Sequence, residues 1–366
     1  MNKRLCNTIL FIYYLIAVFI LNLTMRKSFI NNYIRNTIIA FVILAIIFFI
    51  LLIIFKIIDK KTIAKFATIT EPTIEFEDLY SKLYVLYVKK LEKLKKQTIS
   101  FAIISIIFFI TFIFIPNAIV KIISFIIALS FVIVFVMYKN KYKTEYKNQI
   151  VHQFVKLFNN KLDYSSTTSD SLIKENFRRA NFTIEPYNTF SSDDYIKGYL
   201  DENIFIRMAD INVKRNVESG KSSYTVSIFQ GIFAFTTSTK NINAYIKISK
   251  NDLNLLYDDK NSIEMDNSEF EKYFDVNSEN KILTMRILTH DVMNTLVEFY
   301  KKYNLPFEIV LRDNIIYLRF FTGPMFEPKI FGKSLDKDLI FTHYCILNFI
   351  MDVSKNINKV LQEIEI

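Results

Sequence analysis

Four stretches before residue 138 carry almost no polar side chains, whereas the rest of the chain alternates short β-like runs with amphipathic helices. The apolar stretches cover about 5–24, 36–55, 99–115 and 118–137. Crossing about 30 Å of hydrocarbon takes roughly 20 helical residues, with a floor near 17. The second and fourth stretches meet that length easily and the third only just. Pro116-Asn117 is the sole break between the last two, which predicts a helical hairpin whose outer ends share one side of a bilayer. Those ends are basic, with Lys89, Lys90, Lys93, Lys95 and Lys96 before the hairpin and Lys139, Lys141, Lys143 and Lys147 after it. The positive-inside rule therefore predicts that both face the cytoplasm. Lys3 and Arg4 precede the first stretch as in a signal peptide, but Asn22-Leu23-Thr24 offers no small-x-small cleavage site. Four spans with both termini inside is the expectation, although Arg26, Lys27 and Arg35 in the outer loop run against it. The alternative is a two-span core behind an N-terminal extension.

Residues 73–98 form an amphipathic pattern inside the region 61–98. Glu75, Glu77 and Asp78 suit the positive end of a helix dipole, and lysines crowd the other end. Tyr80, Tyr84, Tyr87, Leu91, Leu94 and Thr98 recur at helical spacing and make one stripe. That stripe either recruits a protein partner or packs on the chain's own soluble part.

Residues 138–366 predict that soluble part. A charged helix continues to about Asn160, and a short one covers about Ser171–Ala180. Strand character runs from Tyr195 to Lys250: Ile204-Phe205-Ile206 opens one strand, Ser219-Gly220-Lys221 turns into Tyr224–Phe235, and Tyr245–Ile248 gives another. The stretch Ile263–Val276 is mixed and partly extended. A helix is expected over Ile282–Tyr303, with Met285, Leu288, Val292, Leu296 and Phe299 on its buried side. Phe307–Leu311 and Ile315–Phe320 flank Arg312-Asp313-Asn314 as a hairpin, and a long helix spans about Lys337–Glu363. Grouped hairpins with helices at the ends predict an α+β fold: N-terminal transmembrane helices, then a soluble domain with a mostly antiparallel sheet and flanking helices.

Charge changes the picture in one respect. The net charge is +10, but residues 1–137 hold 16 basic and 6 acidic residues, which accounts for the whole excess. The soluble part is neutral, so no nucleic-acid partner is expected; the expected partner of the basic region is the lipid bilayer. Abundant Ile, Lys, Asn and Phe fit an AT-biased bacterial genome. The two cysteines, Cys6 and Cys345, are too few for a disulfide framework, and Cys345 fits a reduced core thiol.

The search for chemistry leaves catalytic, cofactor-binding and metal residues all unassigned. Gly220-Lys221-Ser222 resembles the end of a phosphate loop, but Arg215 stands where its first glycine belongs and a strand follows instead of a helix. His152, His290 and His343 fall on separate predicted helices. Glu264, Asp266, Glu269, Glu271 and Asp275 could hold a divalent cation or work as paired acids, yet Phe270, Tyr273 and Phe274 interleave them as in a strand with an acidic outer face. Two segments stand out: Phe229–Phe233, with Gly231 inside a strand, and the rigid loop Thr322–Pro328. Mid-span positions are Ile, Phe, Leu, Val and Ala, with Ser105 and Thr111 the main exceptions, which argues against transport.

The run Glu264–Val276, Ile287-Leu288-Thr289 with Asp291 and Met293, the loop Gly323–Pro328, and Tyr195-Ile196-Lys197-Gly198 resemble signatures of a bacterial membrane family named domain of unknown function 3137. The resemblance spans about 190 to 330 and implies a membrane-anchored cytoplasmic domain; it carries no activity. The expectation is a multi-pass protein of a bacterial cytoplasmic membrane: two spans within 1–60, the helical region 61–98, the hairpin 99–137, and the soluble domain 138–366. The leading function is a binding or scaffold module at the cytoplasmic face, with a protein partner on helix 73–98. The alternative is a tethered enzyme or ligand-binding domain with its site assembled from distant residues, and a transporter component ranks third.

Overall fold

A computed structural model describes residues 72–364, apart from 115–116, 169, 183–184, 202, 220–221, 252–260 and 331–332. The stretches 5–24 and 36–55, Cys6, and the Gly220-Lys221 turn lie outside the described residues. The described chain divides into two compact units, one holding Ile103–Val132 and the other holding the described residues up to Ala102 together with those from Ile133 onward.

The first unit contains the apolar ends of two helices, α1 (Ile74–Phe114) and α2 (Ala118–Glu145). Both helices are long and apolar enough to cross a membrane. Asn117 starts α2 by accepting the N–H groups of Ile119 and Val120 on its side-chain oxygen at 3.0 and 3.3 Å. Ala128, small and buried, lets the helices approach closely, and the Ser105 hydroxyl donates to its carbonyl at 3.1 Å. Phe108 stacks on Phe131, and Phe112 meets Phe125 at 5.2 Å. Among the described residues of this unit, Ile107, Ile119, Ile122 and Ile126 are exposed apolar side chains.

In the second unit, α1 is one continuous helix through the amphipathic stretch and into the third apolar stretch. Half of its stripe is covered: Leu91, Leu94 and Thr98 are buried and Tyr80 and Tyr87 half-buried, whereas Tyr84 is 45% exposed. Beyond α2 comes a π-helical turn, Tyr146–Val151, and then α3 (His152–Phe158), β1 (Leu162–Ser165) and α4 (Asp170–Ala180). The strands β2 (Thr189–Tyr199), β3 (Phe205–Ser219), β4 (Ser222–Thr237), β5 (Tyr245–Lys250) and β6 (Ser262–Ile263) follow. The remainder is α5 (Ser268–Glu271), β7 (Phe274–Ser278), α6 (Lys281–Ile287), α7 (His290–Tyr303), β8 (Phe307–Arg312), β9 (Ile315–Phe320) and α8 (Lys337–Glu363).

The strands make one nine-stranded sheet, ordered β1-β2-β3-β4-β9-β8-β5-β7-β6, and every pairing is antiparallel. Alternation along the strands gives the sheet two apolar faces. On one, α4 sets Phe177 against Phe229 and Phe233, with Ala209, Ile211, Val310 and Tyr317 in the same cluster. On the other, Phe349 of α8 stacks on Phe299 of α7 at 3.6 Å and meets Phe307 at 5.1 Å. The expected α+β class with a mostly antiparallel sheet and flanking helices is what the chain adopts.

Two expected elements differ. The helix expected over 282–303 is two helices, because Leu288 leaves the helical region (ψ 66°) and the Thr289 hydroxyl caps α7 by accepting the N–H of Val292. Met285, placed on the buried side, is 39% exposed as a result. The stretch 263–276 is not a continuous strand with an acidic face. Asn267 accepts the N–H groups of Glu269 and Phe270 and starts the helical turn α5, which leaves only β6 and β7 extended.

Candidate functional site

A buried charged cluster in the second unit is built where α2 hands the chain to the sheet. The π-helical turn aims Lys147 inward, leaving its side chain 4% exposed. Across from it, β2 breaks register with β3 between Asp193 and Ile196, and Asp194 adopts φ +52° inside that bulge. A bulge re-aims a side chain, and here it turns the Asp194 carboxylate completely inward. Asp194 accepts from the Lys147 ammonium on one oxygen and from the Tyr164 hydroxyl of β1 on the other. Lys147 also reaches Asp193 at 2.9 Å and Glu327 at 3.1 Å, and Glu327 pairs with Lys143 at 2.7 Å.

Asp210 of β3 lies directly opposite Asp193 in the ladder, so both carboxyls leave the same face. Its Oδ2 accepts the backbone N–H of Met325 at 2.7 Å. That bond brings in the loop Thr322–Pro328, which Gly323 ties to β4 through its N–H on the Gln230 carbonyl at 3.2 Å. Phe326 takes φ +53°, a left-handed conformation that is unusual for a bulky residue. It packs among Phe154, Tyr164 and His343, the last at 4.6 Å.

Burial governs the protonation states. It pushes Asp210 up to about 8, against the pull of the Met325 amide, so this acid is largely neutral near pH 7. It pushes Asp194 up to about 6 despite the charge and hydrogen bond of Lys147. Tyr164 is held above its ordinary range by burial and by the Asp194 charge. His343 is pushed down to about 3 by burial and stays neutral.

Asp193, Asp194 and Asp210 bring carboxylate oxygens within 4.8 Å of one another, the one group among the described residues with spacing suited to a metal ion. Lys147 already supplies a cation there, and both Asp194 oxygens are engaged. Chemically the cluster is a charge clasp: it fixes the end of α2 to β1, β2, β3 and the 322–328 loop.

The residues flagged in the sequence fall elsewhere, with one exception. Glu264, Asp266, Glu269 and Asp275 are exposed, while Glu271 turns back to accept the Met265 N–H at 2.7 Å. Glu269 pairs with Lys301. His152, His290 and His343 sit on α3, α7 and α8, and Cys345 is buried in α8. Gly231 has a steric reason: a Cβ there would lie 2.0 Å from the Phe320 carbonyl oxygen. The exception is the 322–328 loop, which belongs to the clasp. Lys147, Tyr164, Asp193, Asp194 and Asp210 were missed. The available signal was Asp210 on an inward-facing position between the apolar Ala209 and Ile211.

The fold and clasp define a class: two long apolar helices joined to an α+β unit with a nine-stranded antiparallel sheet. Within that unit, residues 227–359 match the family described as "Protein of unknown function (DUF3137)". The match takes in most of β4 and everything through most of α8, including three of the four segments that carried the resemblance. No curated protein matches the chain. One solved structure, the mycobacterial trehalose monomycolate transport factor A, is similar over 59% of this chain and 96% of its own, at 8% identity and a TM-score of 0.30.

Proposed function

We propose that this protein is a membrane-anchored binding module, held by the α1–α2 hairpin at the cytoplasmic face of a bacterial inner membrane. The observation that carries the reading is the outward apolar surface of Ile103–Val132, where Ile107, Ile122 and Ile126 have no protein cover among the described residues. Lipid is a cover suited to such a surface in a helix pair long enough to span a bilayer. The lysines flanking both helices on the side of the sheet favour a cytoplasmic placement. Between 99 and 137 the only ionisable residue is Lys121, near a helix end, so anchoring fits better than a transport path.

For a protein partner, the part of α1 that remains available is Tyr84 of the stripe and the flank beside it. Val85 is 77% exposed and Leu86 65%, whereas Leu91 is 1% exposed. The test is native purification after mild crosslinking, comparing the wild type with the Val85→Asp/Leu86→Asp variant. A stoichiometric partner that is lost in the variant, at unchanged thermal stability, is the expected result. A partner retained by the variant, or none in the wild type, would remove helix 73–98 as the contact.

A further inference from the structure

Just before its apolar stretch, α1 turns a cationic face to solvent. Lys89, Lys93 and Lys96 recur at helical spacing, and all three are exposed. With Gln97, Ser100 and Phe101 they line an open hollow of about 460 Å³ that lies within the second unit. Glu92 is the one acid among the residues lining it. Phe101, at the end toward the apolar stretch, lies against Tyr138 of α2 with ring centroids 4.7 Å apart.

The neighbouring lysines are taken up by the chain's own carboxylates. Lys90 pairs with Glu145 at 2.9 Å, Lys143 with Glu327 at 2.7 Å, and Lys147 with Asp194. Lys89, Lys93 and Lys96 make no ion pair among the described residues. Their spacing sets like charges at i,i+4 and i,i+3, an arrangement that costs helix stability and that Glu92 offsets only in part. Past Tyr138, α2 continues the same polarity, with Lys139 and Lys141 exposed and no acid before Glu145. A bound anion would relieve this repulsion.

We propose that the hollow holds the phosphate headgroup of an anionic phospholipid, drawn from the leaflet that faces the sheet-bearing unit. The polarity along α1 is that of the ligand. Ammonium groups at 89–96 meet phosphate as point charges, and the Gln97 amide and Ser100 hydroxyl offer neutral hydrogen bonds. The aromatic pair Phe101 and Tyr138 follows, as at the membrane–water interface. Clustered lysines beside a spanning helix attract anionic headgroups in this way. A free phosphate compound would leave the aromatic end unused. The inference rests on the membrane reading and adds to it the class of lipid bound.

The test uses the full chain in neutral detergent micelles, titrated with phosphatidylglycerol or phosphatidylcholine and read by native mass spectrometry. The wild type is expected to retain phosphatidylglycerol at least about fivefold more tightly. Lys89→Gln/Lys93→Gln/Lys96→Gln should abolish that preference. Lys174→Gln/Lys281→Gln/Lys359→Gln, the same charge change at exposed positions on α4, α6 and α8, should keep it. Melting curves on the same samples check that both variants are folded. Glycerol phosphate, which lacks acyl chains, should not displace the lipid; displacement at equal concentration would make the site one for a free phosphate and overturn the proposal. Equal retention of both lipids by the wild type, or equal loss in the two variants, would overturn it as well. Alkaline carbonate extraction separates this inference from the anchor. Absence of the preference in a wild type that stays in the membrane pellet removes the headgroup site alone, whereas a wild type stripped from membranes removes the anchor and the site with it.

Discussion

At the scale of single residues, the account turns on two buried charges. Lys147 and Asp194 are almost fully shielded from solvent and complete one another's hydrogen bonding. Removing one partner strands the other, which costs far more than the pair is worth relative to an apolar substitute. Lys147→Met should therefore lower unfolding stability by about 3–5 kcal/mol, read by chemical denaturation of the purified protein. A loss below about 1 kcal/mol, the range of exposed pairs, would contradict the clasp. Asp210 makes a prediction with a definite sign. Its folded pKa, near 8, lies above its ordinary 3.8, so between these values the folded state holds a proton that the unfolded state has lost. Its contribution to stability is complete below pH 3.8 and disappears as pH rises through 8. Asp210→Asn keeps an acceptor for the Met325 N–H and removes the titration. The melting temperature of the wild type should fall relative to the variant between pH 5 and pH 8, and parallel curves would contradict the assignment.

At the scale of elements, local pattern was a good guide where the local pattern was decisive. Hairpin β8–β9 and helix α8 were legible because turn residues and a continuous 3.6-residue period mark their limits. The break at Leu288-Thr289 was not, since the apolar period runs across it and only the capping hydroxyl signals it. The clasp was illegible for a different reason: Lys147 and Asp194 are 47 residues apart, and Asp210 and Met325 are 115 apart. Only the bulge in β2 and the fold of the loop bring them together. Gly231 and Gly323 give the element-scale prediction. A methyl at Gly231 meets the Phe320 carbonyl at 2.0 Å and the Thr322 nitrogen at 2.9 Å, so β4 and β9 must separate. Gly323 has φ +70° but open space around it. Gly323→Ala should cost about 1–2 kcal/mol from backbone strain alone. Gly231→Ala should cost clearly more, and the reverse order in denaturant melts would show that the β4–β9 contact is looser than described.

At the scale of the whole molecule, the central claim is that an apolar hairpin anchors a cytoplasmic α+β unit. The fold class and the apolar helices were legible because bilayer thickness and sheet alternation impose strict periodicities. Activity left no comparable trace: residues 138–366 are charge-neutral, and the Lys147–Asp194 cluster is engaged in holding elements together. The most direct test is labelling of single cysteines with a membrane-impermeant maleimide, in a Cys6→Ser/Cys345→Ala background expressed in a bacterial host. Asn117→Cys reports the short connection between α1 and α2, and Glu298→Cys reports an exposed position on α7. The account predicts that intact cells label Asn117→Cys but not Glu298→Cys, and that inside-out vesicles label Glu298→Cys but not Asn117→Cys. Labelling of Glu298→Cys in intact cells, or release of the protein from membranes by alkaline carbonate, would contradict it.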